Sequence, residues 1–226
     1  MSGRPLLVAH RAGNDPRRAR AAAEAGADLV EADVHMRLGR LELRHPRRLG
    51  PVLWDRERVG LTRGPAQRLE PALAALGPAV EPVLDLKSGP PSLADAALAA
   101  ARAVLGERPV TIASRRWALL ERLRGAPGVR LVHSAASGRE VARLLRMAAA
   151  GRLDGASVRA DLLAPGVAAA LREATGLLMT WPVPDARQAE RLARAGVTAL
   201  IVDDLALIAR LAGGAVRPAR PAVPPG

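Results

Sequence analysis

The sequence predicts a single (β/α)8 barrel, and three observations lead to that fold class. Short apolar segments of strand length alternate with Ala-, Leu- and Arg-rich segments of helical pattern over almost the whole chain, and eight such pairs can be counted. The turns between them are short, as they are between consecutive βα units. The 226 residues fall slightly below the roughly 250 typical of this barrel. An open, doubly wound sheet is the alternative for the same alternation.

The predicted strands are short runs in which apolar residues follow one another, which is typical of strands buried on both faces. They cover residues 6–9, 28–34, 80–86, 110–113, 129–132, 155–158, 177–181 and 199–202. Helices are predicted in the segments between them, where apolar residues recur at helical spacing. They cover residues 17–25, 65–76, 93–105, 116–123, 139–149, 165–174, 186–195 and 205–211.

Two segments depart from this alternation. Residues 45–64 form the longest connection and follow an extended stretch at 41–44; loops of this length inside a barrel usually shape a substrate site. Trp54 in this loop is either a hydrophobic lid over part of a substrate or part of the loop's own packing. Residues 213–226 are rich in Pro and Arg and are predicted to be a flexible tail behind a catalytic barrel domain at 1–212.

The composition excludes several classes of site. Because the chain has no cysteine, it has no disulfide, no thiolate metal site and no cysteine nucleophile. We see neither a signal peptide nor an apolar run long enough to cross a membrane. A cytoplasmic location without a stable membrane anchor is therefore expected. Nothing in the sequence indicates the oligomeric state.

The formal net charge of +12 raises the question of a nucleic-acid partner. The arginines are scattered along the polar faces of helical segments, however, and no RNA-recognition, helix-turn-helix or zinc-finger pattern occurs. With three Trp and no Phe or Tyr, a base-stacking platform is missing as well. We therefore expect no nucleic-acid partner, and expect the charge to attract an anionic substrate. The alternative, a basic nucleic-acid-associated protein, would bind DNA with a steep salt dependence.

Charged residues are concentrated at the ends of the first three predicted strands. Since side chains alternate along a strand, Glu31 and Asp33 share one face of the second strand, as Asp85 and Lys87 do on the third. Three carboxylates inside a barrel are unfavourable unless a cation lies among them. Oxygen ligands favour Mg²⁺ or Ca²⁺ over zinc. A salt-bridge cluster of these acids with Arg11 and Lys87 is the alternative.

Lys87 is the only lysine of the chain. A position that keeps lysine where every other basic residue is arginine indicates a need for a compact ammonium that points at one oxygen atom. Arginine-rich codon usage with one surviving lysine explains the same observation without a function.

These residues occur in the order of a known family. The pattern consists of His10-Arg11, then Glu31-Ala32-Asp33-Val34-His35, then His45, Asp85-Leu86-Lys87, Trp181 and finally Val202-Asp203-Asp204. It resembles the glycerophosphodiester phosphodiesterases and covers the chain from about residue 10 to residue 204. A lone His-Arg pair would be weak, whereas the ordered set is fairly specific.

The resemblance implies a role for each matching residue. It implies metal ligands at Glu31, Asp33 and Asp85, acid/base histidines at His10 and His45, phosphate-holding groups at Arg11 and Lys87, and a tryptophan at the mouth of the site at Trp181. It also implies one divalent cation and a small-molecule glycerophosphodiester as the substrate. Phosphodiester cleavage needs neutralised nonbridging oxygens, a base and an acid, and these groups supply each of them.

The chain departs from the family pattern at three places. His45 is followed by Pro46, where the family usually has Asp. The loop after Arg11 reads Ala-Gly-Asn-Asp-Pro at 12–16, where the family has Gly and then Pro-Glu-Asn-Thr. Asp85 is one methylene shorter than the usual Glu. A barrel that binds a phosphorylated ligand without turnover is therefore the alternative to a phosphodiesterase.

Other polar residues near strand ends have less defined expectations. His35 is expected at the polar rim of the barrel, with a catalytic role as the alternative. His133 is expected either to line the pocket or to face solvent. Asp203 is expected to close the barrel mouth or to cap the last helix, and Asp204 to cap that helix.

Overall fold

The computed structural model describes residues 4–45, 47–49, 52–54, 59–61 and 67–214, the three short segments by their backbone only. Eight parallel strands close into a barrel, and a helix follows each strand. The predicted (β/α)8 fold is confirmed, and the doubly wound alternative is wrong because the first strand pairs with both the second and the last.

Eight barrel strands, β1 to β8, follow one another around the barrel in chain order. They are Leu6–Ala9, Leu29–Arg37, Glu81–Leu86, Val110–Ser114, Val129–Ala135, Gly155–Arg159, Leu177–Trp181 and Ala199–Val202. All eight predicted strands are present. The register places Asp33 on β2 beside Asp85 on β3, so the second and third strands bring their acids to the same level of the barrel.

The helices α1 to α8 surround the barrel. They are Pro16–Glu24, Leu69–Ala74, Leu93–Leu105, Trp117–Glu121, Gly138–Ala149, Pro165–Ala174, Ala186–Arg194 and Leu205–Gly213. Local sequence determines several starts: Asp15 accepts hydrogen bonds from the first amides of α1, and Pro16 occupies the first turn, where no amide is needed. Asp204 caps α8 by accepting from the amide of Ala206 at 2.8 Å, which confirms that expectation. No helix in the described part of the chain is long and apolar enough to cross a membrane.

The apolar core has two layers because side chains alternate along each strand. On β1, Leu7 and Ala9 face the helices, whereas Leu6 and Val8 fill the barrel. The same alternation on β2 points Leu29 inward and, two and four residues later, Glu31 and Asp33. The barrel is therefore filled with apolar side chains below a polar layer at the carboxyl end of its strands.

The β2 strand continues past the barrel. After Arg37 the chain turns and runs back antiparallel as Arg40–Leu43, with Arg37 opposite Arg40. This return strand coincides with the predicted extended stretch at 41–44. In the long connection behind it, the backbone forms a separate antiparallel sheet of Arg47–Leu49, Val52–Trp54 and Val59–Leu61.

Two predictions concern residues that the structure does not describe. The side chain of Trp54 lies outside the described side chains. The predicted tail at 213–226 also falls almost entirely outside the described residues, which end at 214 after α8. Both predictions therefore remain predictions.

Candidate active site

Three carboxylates converge at the carboxyl end of the barrel. Glu31 and Asp33 on β2 and Asp85 on β3 each offer an oxygen, and these oxygens lie within 4.8 Å of one another. Glu31 is 4% exposed and Asp33 is fully buried. Oxygen Oε1 of Glu31 and Oδ1 of Asp85 are buried and accept no hydrogen bond from any described residue. Unsatisfied buried carboxylate oxygens at this spacing fit a divalent cation with hard oxygen ligands.

Lys87 lies directly against two of the three acids. Its Nζ is 2.8 Å from Oδ1 of Asp33 and also contacts Oδ2 of Asp85. Although burial alone would lower the pKa of this ammonium, the surrounding carboxylates raise it above the ordinary value for lysine. Lys87 therefore stays charged at neutral pH, and its ammonium contacts oxygens of two acids rather than a single oxygen.

The charges of the acids respond differently to this neighbourhood. Burial and then repulsion from Asp33 raise the pKa of Glu31 well above its ordinary value. Burial also raises the pKa of Asp85, although Lys87 opposes it. For Asp33 burial acts in the same direction, but Lys87 and Asn14 outweigh it and hold the pKa below the ordinary value. Glu31 is thus the acid that the protein's own cations compensate least.

The salt-bridge alternative accounts for only part of this cluster. Lys87 pairs with Asp33 and Asp85, and the Nε of Arg11 is 4.0 Å from Oδ2 of Asp33. Glu31 has no ion pair with a described side chain, and its Oε2 accepts only the backbone amide of Arg11 at 2.6 Å. When all three acids are ionised, they exceed the two cations that pair with them among the described residues, Arg11 and Lys87, by one charge, which a divalent cation would compensate.

The loop after β1 supports the acids through its backbone and one amide. Arg11 has a left-handed conformation with φ of 54°, and its amide donates to Oε2 of Glu31. Asn14 donates from Nδ2 to Oδ2 of Asp33 at 2.9 Å and accepts from the Asp33 amide at 2.7 Å. Gly13 permits this approach, since a Cβ there would be 2.8 Å from the Cβ of Ala32. The altered loop sequence therefore still orients Asp33.

Asn14 is the site residue that sequence reasoning missed. The usable signal was a single amide side chain within a few residues of His10-Arg11, since a buried carboxylate needs donors.

His10 follows β1 and is held by the opposite end of the chain. Its Nδ1 is 2.7 Å from Oδ1 of Asp203, which follows β8. This hydrogen bond, opposed by partial burial, lowers the pKa of Asp203. With Nδ1 bound to a carboxylate, Nε2 is the nitrogen left to exchange a proton. Asp203 therefore lies at the barrel mouth and contacts His10, while Asp204 caps the helix.

His45 and His35 have different environments. His45 is half-buried and follows the return strand; the preceding residue, Arg44, donates its amide to the Asp33 carbonyl at 3.3 Å. His35 is 2% exposed, with Nδ1 2.6 Å from Oγ of Ser88 and Nε2 3.0 Å from the Arg44 carbonyl. The expectation of a polar rim position for His35 is wrong, because the return strand covers it.

The two bonds of His35 connect the segments that carry His45 and Lys87. Burial, and to a lesser degree Arg44, lowers the pKa of His35 to about 4. The ring is therefore neutral, with Nε2 donating to the Arg44 carbonyl and Nδ1 accepting from Ser88. Since both nitrogens are used, His35 has none left for proton transfer.

The remaining residues divide between the site and the flank of the barrel. Trp181 ends β7, is half-buried and packs against the apolar barrel interior. His133 is 1% exposed and lies between sheet and helices, edge-on to Trp117 at 5.5 Å and 3.8 Å from Glu121. Neither expectation for His133 is correct. Val132, its neighbour on β5, faces the barrel interior, so the alternation along the strand points His133 toward the helices.

Solved structures with this fold include enzymes named for phosphodiester cleavage. A phosphodiesterase from Oleispira antarctica, in complex with the product sn-glycerol-3-phosphate, shares 17% identity over 93% of this chain and 97% of its own, with a TM-score of 0.71. The glycerophosphodiester phosphodiesterase of Thermotoga maritima shares 18% identity over 93% of this chain and 100% of its own, with a TM-score of 0.71. The glycerophosphodiester phosphodiesterase of Parabacteroides distasonis shares 17% identity over 94% of this chain and 98% of its own, with a TM-score of 0.70.

No family model and no curated protein matches the chain by sequence. At these identities the structural similarity establishes the shared barrel fold, whereas activity has to be argued from the site. The resemblance that the ordered motifs indicated is thus confirmed at the level of the fold.

Proposed function

We propose that this protein is a metal-dependent phosphodiesterase that hydrolyses a glycerophosphodiester to an alcohol and glycerol phosphate. The observation that carries the proposal is the group of three carboxylates within 4.8 Å of one another with Lys87 against two of them. Support comes from the ordered sequence motifs and from the shared fold with solved phosphodiesterases, one of which holds sn-glycerol-3-phosphate.

Glu31, Asp33 and Asp85 are the proposed ligands of one divalent cation, Mg²⁺ or Ca²⁺. Their donor set consists of oxygens only, which suits both ions. When bound, the cation would neutralise charge on the nonbridging oxygens of the phosphate. Asn14 and the Arg11 amide keep Asp33 and Glu31 oriented for that role.

Arg11 and Lys87 are proposed to bind the phosphate. Both side chains are partly exposed: 39% of the Arg11 side chain and 32% of the Lys87 side chain are accessible to solvent. Both can therefore reach a ligand at the barrel mouth while they stay anchored beside Asp33. Negative charge grows on the nonbridging oxygens as the bond breaks, so two fixed cations there stabilise the transition state more than the ground state.

His10 and His45 are proposed to transfer protons. One histidine removes the proton from the attacking oxygen, a new P–O bond forms, and the other histidine gives its proton to the leaving alkoxide as the old P–O bond breaks. Asp203 binds Nδ1 of His10, which leaves Nε2 for proton transfer. The attacking oxygen is either the substrate's own glycerol hydroxyl, which gives a cyclic phosphate first, or water. Either histidine fits either role.

Trp181 is proposed to contact the substrate at the mouth, where β7 ends. A half-buried indole there offers an apolar wall to the glycerol carbons. We further propose a cytoplasmic location, with which the cysteine-free composition is consistent.

A non-catalytic barrel that binds a phosphorylated ligand is the second candidate. The observation that favours it is Pro46, which replaces the Asp usual after the second histidine of the family. Both candidates need the acids and the cations, but only the phosphodiesterase needs the two histidines.

The test is a panel of glycerophosphodiesters with different head groups, assayed for released alcohol in EDTA and with added Mg²⁺ or Ca²⁺. Cation-dependent release that His10→Ala and His45→Ala both reduce would support the phosphodiesterase. Binding of glycerol phosphate to the protein is measured in parallel by titration calorimetry. Saturable binding without release from any diester would support the non-catalytic barrel, and full activity in excess EDTA would refute the metal site.

A further inference from the structure

The tip of the β2 hairpin has an unusual sequence for its geometry. Residues 37–40, called the hairpin tip below, pair Arg37 with Arg40 around a two-residue turn. Leu38 has φ of 49° and Gly39 has φ of 75°, the signs that a type I′ turn requires. Such turns favour Asn or Gly at the first central position, because a left-handed conformation strains a residue with a branched apolar side chain.

Packing within the described residues does not explain why a leucine occupies position 38. It is 85% exposed and is the exposed large hydrophobic residue identified among the described residues. Only one other described non-glycine residue has positive φ, namely Arg11, and there the conformation directs an amide to Glu31. A strained residue that has no compensating contact with the described residues is a candidate for a contact outside the molecule.

The neighbours of Leu38 define the chemistry of that contact. Arg37 and Arg40 are exposed, and neither forms an ion pair with a described residue. Leu38 follows Asp33 by five residues along β2, which places the hairpin tip about 16 Å beyond the acids on the mouth side of the barrel. An apolar side chain between two guanidiniums that pair with no described acid is therefore presented at the face that carries the candidate site.

We propose that the hairpin tip docks on an anionic phospholipid surface, with Leu38 inserted among the upper acyl carbons and the two arginines on lipid phosphates. Arginines attract any polyanion, but an exposed apolar side chain between them gains free energy only from a surface with an apolar layer beneath its charge. One leucine and two arginines make a weak, salt-sensitive and reversible contact. Docking in this orientation directs the barrel mouth toward the bilayer, and the proposal does not depend on catalysis.

The experiment measures co-sedimentation of the protein with phosphatidylcholine vesicles that contain or lack phosphatidylglycerol. We expect binding to the anionic vesicles only. Leu38→Asn should weaken it about tenfold, while raising or preserving the Tm, because Asn accepts the left-handed conformation. Weaker vesicle binding together with an unchanged or higher Tm in this variant would show that Leu38 serves docking rather than folding.

The control must account for the high positive charge of the whole chain. Arg37→Glu/Arg40→Glu should weaken binding about thirtyfold or more. Arg146→Glu/Arg152→Glu makes the same charge change at two exposed arginines that line a cavity of about 430 Å³ beside α5, at the amino end of the barrel. This control should bind nearly as the wild type does.

Three results would overturn the proposal. Equal loss in both double variants would mean non-specific attraction by net charge. Unchanged vesicle binding by Leu38→Asn would show that Leu38 does not insert into the bilayer. Binding to short double-stranded DNA that is as tight as to the anionic vesicles, and equally sensitive to Arg37→Glu/Arg40→Glu, would assign the hairpin tip to a nucleic acid instead.

Discussion

Replacing Glu31 with glutamine should stabilise the metal-free protein and remove most of its stabilisation by divalent cations. Burial, followed by repulsion from Asp33, raises the pKa of Glu31 well above its ordinary value. An acid whose pKa is higher in the folded state makes the protein lose stability as the pH rises from the unfolded pKa to the folded pKa, because over that range the unfolded chain is ionised while the folded chain keeps its proton. Glutamine can still accept the Arg11 amide, so the substitution removes the charge and keeps that contact.

The size of the cation effect follows from mass action. A ligand at about 100 times its Kd stabilises the folded state by about 2.7 kcal/mol, which raises the Tm of a chain of this size by about 5–11 °C. Loss of a charged ligand should weaken affinity by about 100-fold or more, since replacing residues that merely contact the ligands already weakens it about 10- to 100-fold. At the same cation concentration the variant then gains only about 0.4 kcal/mol, or about 1–2 °C.

The assay is thermal unfolding followed by circular dichroism, in EDTA and in excess Mg²⁺ or Ca²⁺, at neutral pH. Glu24→Gln is the matched control, because it makes the same chemical change at an exposed position in α1 and should keep the full cation shift. If Glu31→Gln melts below the wild type in EDTA, or keeps the wild-type cation shift, the reasoning about this site is wrong.

Three further predictions concern other titratable side chains. His10→Ala and His45→Ala should each lower turnover by about 10²- to 10⁴-fold with little change in Tm, measured by steady-state kinetics and thermal melts. Lys87→Arg should lower turnover by about 10²-fold, equivalent to about 2.7 kcal/mol, with a smaller rise in KM, because a planar fork does not fit a point between two carboxylates. Burial lowers the pKa of His133, so the wild type should lose stability as the pH falls below the unfolded value of about 6.5, and His133→Phe should lose less in denaturant titrations.

Each of these predictions has an outcome that contradicts it. Wild-type turnover in His45→Ala would remove His45 from the proposed chemistry, and with both nitrogens of His35 already bonded the structure offers no simple substitute on that segment. Lys87→Arg with unchanged kinetics would make the lone lysine an accident of composition. Parallel stability curves for His133→Phe and the wild type from pH 7 to about pH 5 would mean that His133 is protonated in the folded protein.

Local rules were sufficient to predict the barrel and the acidic cluster. Apolar runs of strand length between helical segments specify βα units, and the carboxyl ends of parallel strands meet at one edge. Alternation along a strand then puts Glu31 beside Asp33, and Asp85 beside Lys87, on the inward face. These relations involve neighbours in sequence and consecutive strands, so a linear pattern contains them.

Only the tertiary structure decided which polar side chains contact one another across the barrel. Asp203 reaches His10 from 193 residues away, because closure places β8 beside β1. His35 becomes buried between Ser88 and the Arg44 carbonyl, which directly follows the return strand. Asn14 meets Asp33 because Gly13 lets the first loop approach β2. Sequence alone determined which chemical groups are present and at which end of the barrel they lie; their partners depended on barrel closure and on a hairpin turn, which no local pattern encodes.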